Sequence, residues 1–182
     1  MDDIITPEHH KNIINRGLPK TEQSISYAGG DDGTHEAGWW VGRFRTNNRQ
    51  RFILRTLAGD DIVFDRATGL MWARDGDAAG CFNGGQQFWA NAITYCNGLN
   101  FAGFTDWRLP NIFELYSIGR MNAWNPAIQT AFTNTKWDYP YWSSTSRAFG
   151  TTAAWANHYS ECRPQQNPKV TAFYLRAVRL GV

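Results

Sequence analysis

Helical spacing is confined to the middle of this chain, and short strand-like runs broken by turns lie on both sides of it. That distribution restricts the architecture more than any single motif. Phe88, Ala92, Tyr95, Cys96 and Leu99 fall at i, i+4, i+7, i+8 and i+11, one face of a helix expected over residues 86–99. A second helix is expected over 110–118. Ile112, Leu115 and Ile118 form its apolar stripe, Pro110 takes the first helical position and Gly119 caps the end. Ahead of them, 51–54 and 61–64 read as strands around a Gly59-Asp60 turn, and 70–73 reads as a buried strand. Behind them, 141–145, 154–159 and 172–180 read as strands, while 122–138, with Pro126 and three aromatics, reads as irregular. Central helices flanked by strands predict an α+β domain with short, mainly antiparallel sheets and long loops.

The 182 residues suffice for one domain, divided into an N-terminal arm and extended segment over 1–50 and a ligand-binding domain over 51–182. Ile4, Ile5, Ile13 and Ile14 give the arm weak helical spacing up to Gly17. Gly29-Gly30-Asp31-Asp32-Gly33 reads as a turn, with too few carboxylates at the right spacing for a calcium loop. Nine tryptophans and only 19% charged residues suit an aromatic core, and also a rigid contact surface. Eighteen basic residues are scattered among 16 acidic ones, so no basic footprint for nucleic acid is expected. No stretch approaches the roughly 18 apolar residues of a membrane span, and no membrane insertion is expected. The acidic start Met1-Asp2-Asp3 lacks the apolar core of a secretory signal, so export, if any, is expected by another route such as assembly into a virion. Cys81, Cys96 and Cys162 lack the spacing of a zinc site. One of them at least is unpaired, and Cys81 and Cys96 could bridge a loop-to-helix step, although nothing argues for an oxidising compartment. No metal and no cofactor are expected.

A series of motifs carries a resemblance. Asp65-Arg66-Ala67-Thr68-Gly69-Leu70-Met71-Trp72 opens it, then Trp89-Ala90-Asn91-Ala92 and Tyr95-Cys96-Asn97-Gly98-Leu99. Asp106-Trp107-Arg108-Leu109-Pro110-Asn111 with Glu114-Leu115 comes next, followed by Tyr141-Trp142-Ser143-Ser144-Thr145, Ala154-Trp155 and Tyr174-Leu175-Arg176-Ala177-Val178-Arg179. In order and spacing, over roughly 52–180, the chain resembles the family named for the C-terminal domain of the Legionella collagen-like adhesin. The resemblance implies a C-type-lectin-like fold and binding rather than catalysis. It includes adhesins, phage proteins and the variable proteins of diversity-generating retroelements, and it makes a homotrimer plausible. Residues 146–173 depart from the family's usual pattern.

The same departing segment is the best binding candidate. Ser146, Arg147, Phe149, Thr151, Thr152, Asn157, His158, Ser160, Glu161 and Arg163 mix adaptable hydrogen bonders with aromatic and charged anchors, as paratopes do. A plain solvated loop is the alternative. If Trp155 and Tyr159 point inward, so does Asn157, while Ala156 and His158 face out. Trp142 and Trp155 are read as core, or else as platforms for sugar rings. Arg108 is read as the partner of Asp106 or Glu114. The sugar-and-calcium tripeptides of lectins, Glu-Pro-Asn and Trp-Asn-Asp, are absent, Trp124-Asn125-Pro126 being a near miss. The expected function is therefore a non-catalytic display protein that binds a cell-surface protein or glycan. A phage structural or tail-assembly protein is the first alternative. A formylglycine-generating type of enzyme is a weaker one, because only Cys162 lies near the C-terminus and that chemistry needs a cysteine pair. His158 has no orienting partner and no nucleophile legible beside it.

Overall fold

The computed structural model describes residues 20–35 and 51–181, so the expected helical spacing of the arm lies outside the described residues. A single turn, α1 (Asp32–His35), comes first. Strands β1 (Phe52–Leu57) and β2 (Asp60–Asp65) form a hairpin, followed by β3 (Leu70–Ala73). Ala58 and Gly59 both take positive φ (51° and 91°), the geometry that matches a hairpin turn to strand twist. After a 3-10 turn at Ala79–Gly84 come β4 (Gln87–Phe88), α2 (Trp89–Asn97) and α3 (Ile112–Ser117). The chain closes with β5 (Tyr141–Ser146), β6 (Ala153–His158), β7 (Arg163–Pro168), β8 (Ala172–Phe173) and β9 (Val178–Leu180). The result is a mixed α and β architecture with antiparallel sheets and few helices.

Three sheets form. β1-β2-β3-β9 brings the last strand back beside the third, β4 pairs β8, and β5-β6-β7 is a separate meander. Two apolar clusters fill the space between them. Trp142, Trp107, Phe101, Ala154, Ala156 and Leu175 belong to the first. Trp72, Leu115, Ile118, Tyr141, Tyr159 and Val178 belong to the second. The β5-β6-β7 sheet contributes to both, so β6 is covered on its two faces. This corrects the expectation that Ala156 faces out, since Ala154 and Ala156 are 0% exposed. Asn157 and Tyr159 do point inward, towards the second cluster's side, and are equally buried.

Local sequence explains where the elements start. The helix expected from Pro110 begins two residues later, because the Asn111 side chain accepts from the Glu114 N–H while the Glu114 carboxylate accepts from the Asn111 N–H. The helix expected from Gln86 begins at Trp89, because Gln87 and Phe88 pair with Phe173 and Ala172. The last expected strand splits into β8 and β9 for the same reason: each half pairs with a different partner. Residues 122–138 hold no strand or helix.

Three ion pairs lock the corners. Arg51 grips Asp65 in two bonds of 2.9 and 2.8 Å and also donates to the Ser117 carbonyl, tying the first sheet to the end of α3. Arg108 takes Glu114, at 2.8 and 2.6 Å, whereas Asp106 is held by Arg179. Lys20–Ser24, ahead of the first strand, is fastened to the loop after α3. Glu22 pairs with Arg120 and accepts from Gln129, and the Met121 N–H donates to the Thr21 carbonyl. Cys81, Cys96 and Cys162 are all free and buried, so the bridge envisaged between the first two is not formed.

Candidate ligand-binding surface

The residues singled out in the sequence separate into two groups at opposite ends of β6. Ser146, Arg147, Phe149, Thr151 and Thr152 lie in or beside the β5–β6 loop, before β6 starts. His158, Ser160, Glu161 and Arg163 lie in or beside the β6–β7 turn, where it stops. A six-residue strand rising about 3.3 Å per residue holds the two groups roughly 17 Å apart. No small ligand spans that distance, but one face of a protein partner does. Asn157 drops out of the surface altogether: it is 0% exposed, its amide donates towards Cys162 Sγ at 3.7 Å, and its Oδ1 has no partner among the described residues.

At the first end the loop is braced rather than loose. The Arg147 N–H donates to the Ala153 carbonyl (3.0 Å), closing the loop at its neck. The Lys169 N–H donates to the Thr152 carbonyl (2.9 Å), and the Trp89 N–H donates to the Lys169 carbonyl (3.2 Å). The loop, the turn after β7 and the start of α2 are thereby laced into one surface. Phe149 stands out of it with 83% of its surface exposed, under the Arg147 guanidinium at 5.6 Å. Lys169 lies across the Trp89 ring at 3.8 Å and bonds Ser146 Oγ at 2.8 Å.

At the second end, Glu161 and Arg163 pair at 2.7 Å, and His158 Nδ1 accepts from the Ser160 N–H at 3.2 Å. The turn rests on the loop after α3, where the Asn125 N–H donates to the Ser160 carbonyl and the Ala127 N–H to the Tyr159 carbonyl. Cys162, with φ of 51°, tucks its thiol over Gly119, where an added Cβ would sit 1.8 Å from the sulfur. Burial pushes that thiol up to about 11, the reverse of what an activated nucleophile needs. Among the described residues no group of three or more His, Cys, Asp or Glu side chains is arranged to hold a metal ion.

Several exposed side chains escaped the sequence reading. Phe113 is 82% exposed and Trp124 70%, with Tyr116 and Met121 also at the surface around α3 and its following loop. Phe113 and Tyr116 fall one turn apart and off the Ile112-Leu115-Ile118 stripe, a pattern that was legible in the sequence. Val170 and Phe88 carried no such signal, since their exposure depends on which strands meet at the first end. Trp142 is fully buried and donates its indole N–H to the Gln87 carbonyl, whereas Trp155 is half-buried and joins neither cluster.

The edge strand between the two ends has its own chemistry. In β7 the residues Pro164, Gln166 and Pro168 face Asn157, Trp155 and Ala153. The Lys169 N–H bonds to the Thr152 carbonyl, which sets the phase of the ladder and turns the backbone of 164, 166 and 168 away from β6. Two of those three positions are prolines without an N–H. The outer edge therefore offers one donor over five residues and resists pairing with another strand.

A comparison with curated proteins finds no match to this chain. The Lcl C-terminal domain model matches residues 61–179, from β2 to the middle of β9 and across both ends of the surface just described. The chain belongs to the Lcl C-terminal domain family, which suggests an adhesin-like, non-enzymatic domain.

Proposed function

We propose that this protein is a non-catalytic adhesion or display domain, with a C-type-lectin-like fold over 51–182, that recognises a protein or glycan on a cell surface through the β5–β6 loop and the β6–β7 turn. The observation that carries the reading is the contrast along β6. Ala154, Ala156 and Asn157 are fully buried between its two faces, and the polar, aromatic and charged side chains at its ends project from hydrogen-bonded turns. A rigid scaffold with exposed, chemically mixed ends is what recognition by loops requires. The lectin-like fold is supported by the return of β9 beside β3, which joins the two ends of the domain, and by a second small sheet entered through the long irregular segment between α3 and β5. Residues 1–50 would then act as the arm that presents the domain. Diversification by a retroelement, or a place at the receptor-binding tip of a phage, is the finer form of the same reading.

The test is cell binding by the purified protein against Arg147→Ala, Phe149→Ala, Glu161→Ala and Arg163→Ala variants. These side chains are surface groups, so unfolding free energies should stay within about 0.5 kcal/mol of the parent while binding falls. Unchanged binding in all four would remove the reading. Sequencing the encoding DNA and its flanks tests the finer form: a near-copy of the 140–182 region differing at adenines is expected if the surface is diversified.

A further inference from the structure

We infer that the first end of the sheet docks an acidic segment of a partner protein that also carries apolar side chains. The inference rests on the ligand-binding reading above and gives that surface its chemistry. Three segments build the tip: 86–91, 144–153 and 166–173. Between them they hold only two charged residues, Arg147 and Lys169, and both are cations. Glu114, whose helix start touches Thr145, is committed to Arg108 by two short bonds. Glu161, the single acidic residue in 139–182, is engaged with Arg163 at the far end of β6.

Beside these two cations stand exposed apolar groups, Phe149 at 83%, Val170 at 81% and Phe88 at 52%. Phe88 pairs with Ala172, two residues beyond Val170, and the Trp89 N–H reaches the Lys169 carbonyl, so strand pairing brings Phe88 and Val170 to the β7–β8 turn, and the bonds from Lys169 to the Thr152 carbonyl and Ser146 Oγ attach the loop that carries Phe149. The backbone bonds that lace the tip mean that little ordering remains to be done on binding. An uncharged apolar partner would bury two cations that no carboxylate among the described residues neutralises. A bare polyanion would satisfy the cations and leave the three apolar side chains in water. A segment mixing carboxylates with apolar side chains answers both. Strand addition is closed off by Pro164 and Pro168, so recognition runs through side chains.

The probes are short labelled peptides mixing Glu with Leu and Phe, their counterparts with Gln for Glu or Ser for Leu and Phe, and a sulfated oligosaccharide, read by fluorescence polarisation on the full chain. The Glu peptides should bind, and each counterpart should bind about tenfold more weakly. Arg147→Gln, Phe149→Ser and Val170→Ser should each cost about tenfold with melting unchanged, and Arg55→Gln, exposed on β1 away from the surface, should cost nothing. The inference is overturned if the Gln peptides bind equally well. It is also overturned if the oligosaccharide binds and Phe149→Ser leaves it untouched. If the protein binds cells but none of the peptides, this inference falls and the ligand-binding reading stands. If it binds neither, both fall.

Discussion

Arg176 is the residue on which the interior depends most unusually. It is 0% exposed and has no hydrogen-bonded carboxylate among the described residues. Its guanidinium donates to the carbonyls of Ala73 and Arg74, at 2.7 and 2.6 Å, and to Thr135 Oγ1 at 3.0 Å, with Phe132 and Tyr141 against its faces. A cation held by neutral acceptors and rings fastens the end of β3 to the 131–136 loop and to β5 at once. Arg176→Leu strips three acceptors of a charged donor; the Arg74 carbonyl keeps the Thr133 N–H, and the other two are each worth about 1–3 kcal/mol when left unsatisfied. We expect a loss of about 3 kcal/mol or more in urea unfolding. Arg176→Lys should recover only part of it, because an ammonium cannot reproduce the planar fork. The Tyr-Leu-Arg-Ala-Val-Arg run that carried the resemblance thus has a physical basis. Its first arginine is this anchor, and its second, Arg179, clamps Asp106 and lies 3.9 Å from the centre of the Phe104 ring.

At the scale of single elements, α3 and β7 show what short segments need. With six residues, α3 cannot be stable alone and relies on its capping box and on Leu115 and Ile112 in the core. Asn111→Ala should cost about 1 kcal/mol. Glu114→Ala should cost more, because Glu114 both caps the helix and pairs with Arg108, and the difference is measurable by thermal unfolding. β7 was invisible to a reading based on hydrophobic alternation, since Arg163–Pro168 contains no aliphatic or aromatic residue. It is a strand because β6 supplies a register and the turn at Cys162 reverses the chain, not because its side chains call for one. Its prolines guard the edge. The Pro164→Thr, Pro168→Thr double variant should restore two outward N–H groups and raise self-association, visible as earlier light scattering on heating.

Across the whole molecule, buried acids that stay protonated and surface carboxylates that stay ionised set a stability plateau in pH. Burial pushes the Cys81 and Cys162 thiols up to about 11 and raises Cys96, Tyr141 and Tyr159 further above their ordinary values. A group raised in the folded state stabilises below its unfolded value, near 9 for a thiol, and that contribution fades as pH climbs towards the folded value. The urea midpoint should therefore fall between pH 9 and about 11. Replacing Cys162 by Ala should flatten part of that decline. On the acid side, the Arg179 hydrogen bond holds Asp106 below its ordinary value, and the Tyr27 N–H does the same for Asp31. Those contributions are present above about pH 4 and lost below it.

The sequence by itself determined the class of element at most positions, because apolar period and turn residues are local properties. α2 and α3, the β1–β2 hairpin, the buried β3 and the strands around Trp142 and Trp155 all follow from spacing within a few residues of one another. It also determined which loop residues mix charge with aromatic character. Tertiary structure decided what depends on partners far along the chain. β4 and β8 exist because they meet across 84 residues. Asn157 and Ala156 are buried because both faces of β6 are covered, which alternation along one strand cannot reveal. The candidate site is two sites because β6 stands between its halves, and Phe88, Lys169 and Val170 join the first half only when three distant segments hydrogen-bond into one tip. Side-chain period is written in the chain, whereas exposure is a property of what the fold leaves uncovered.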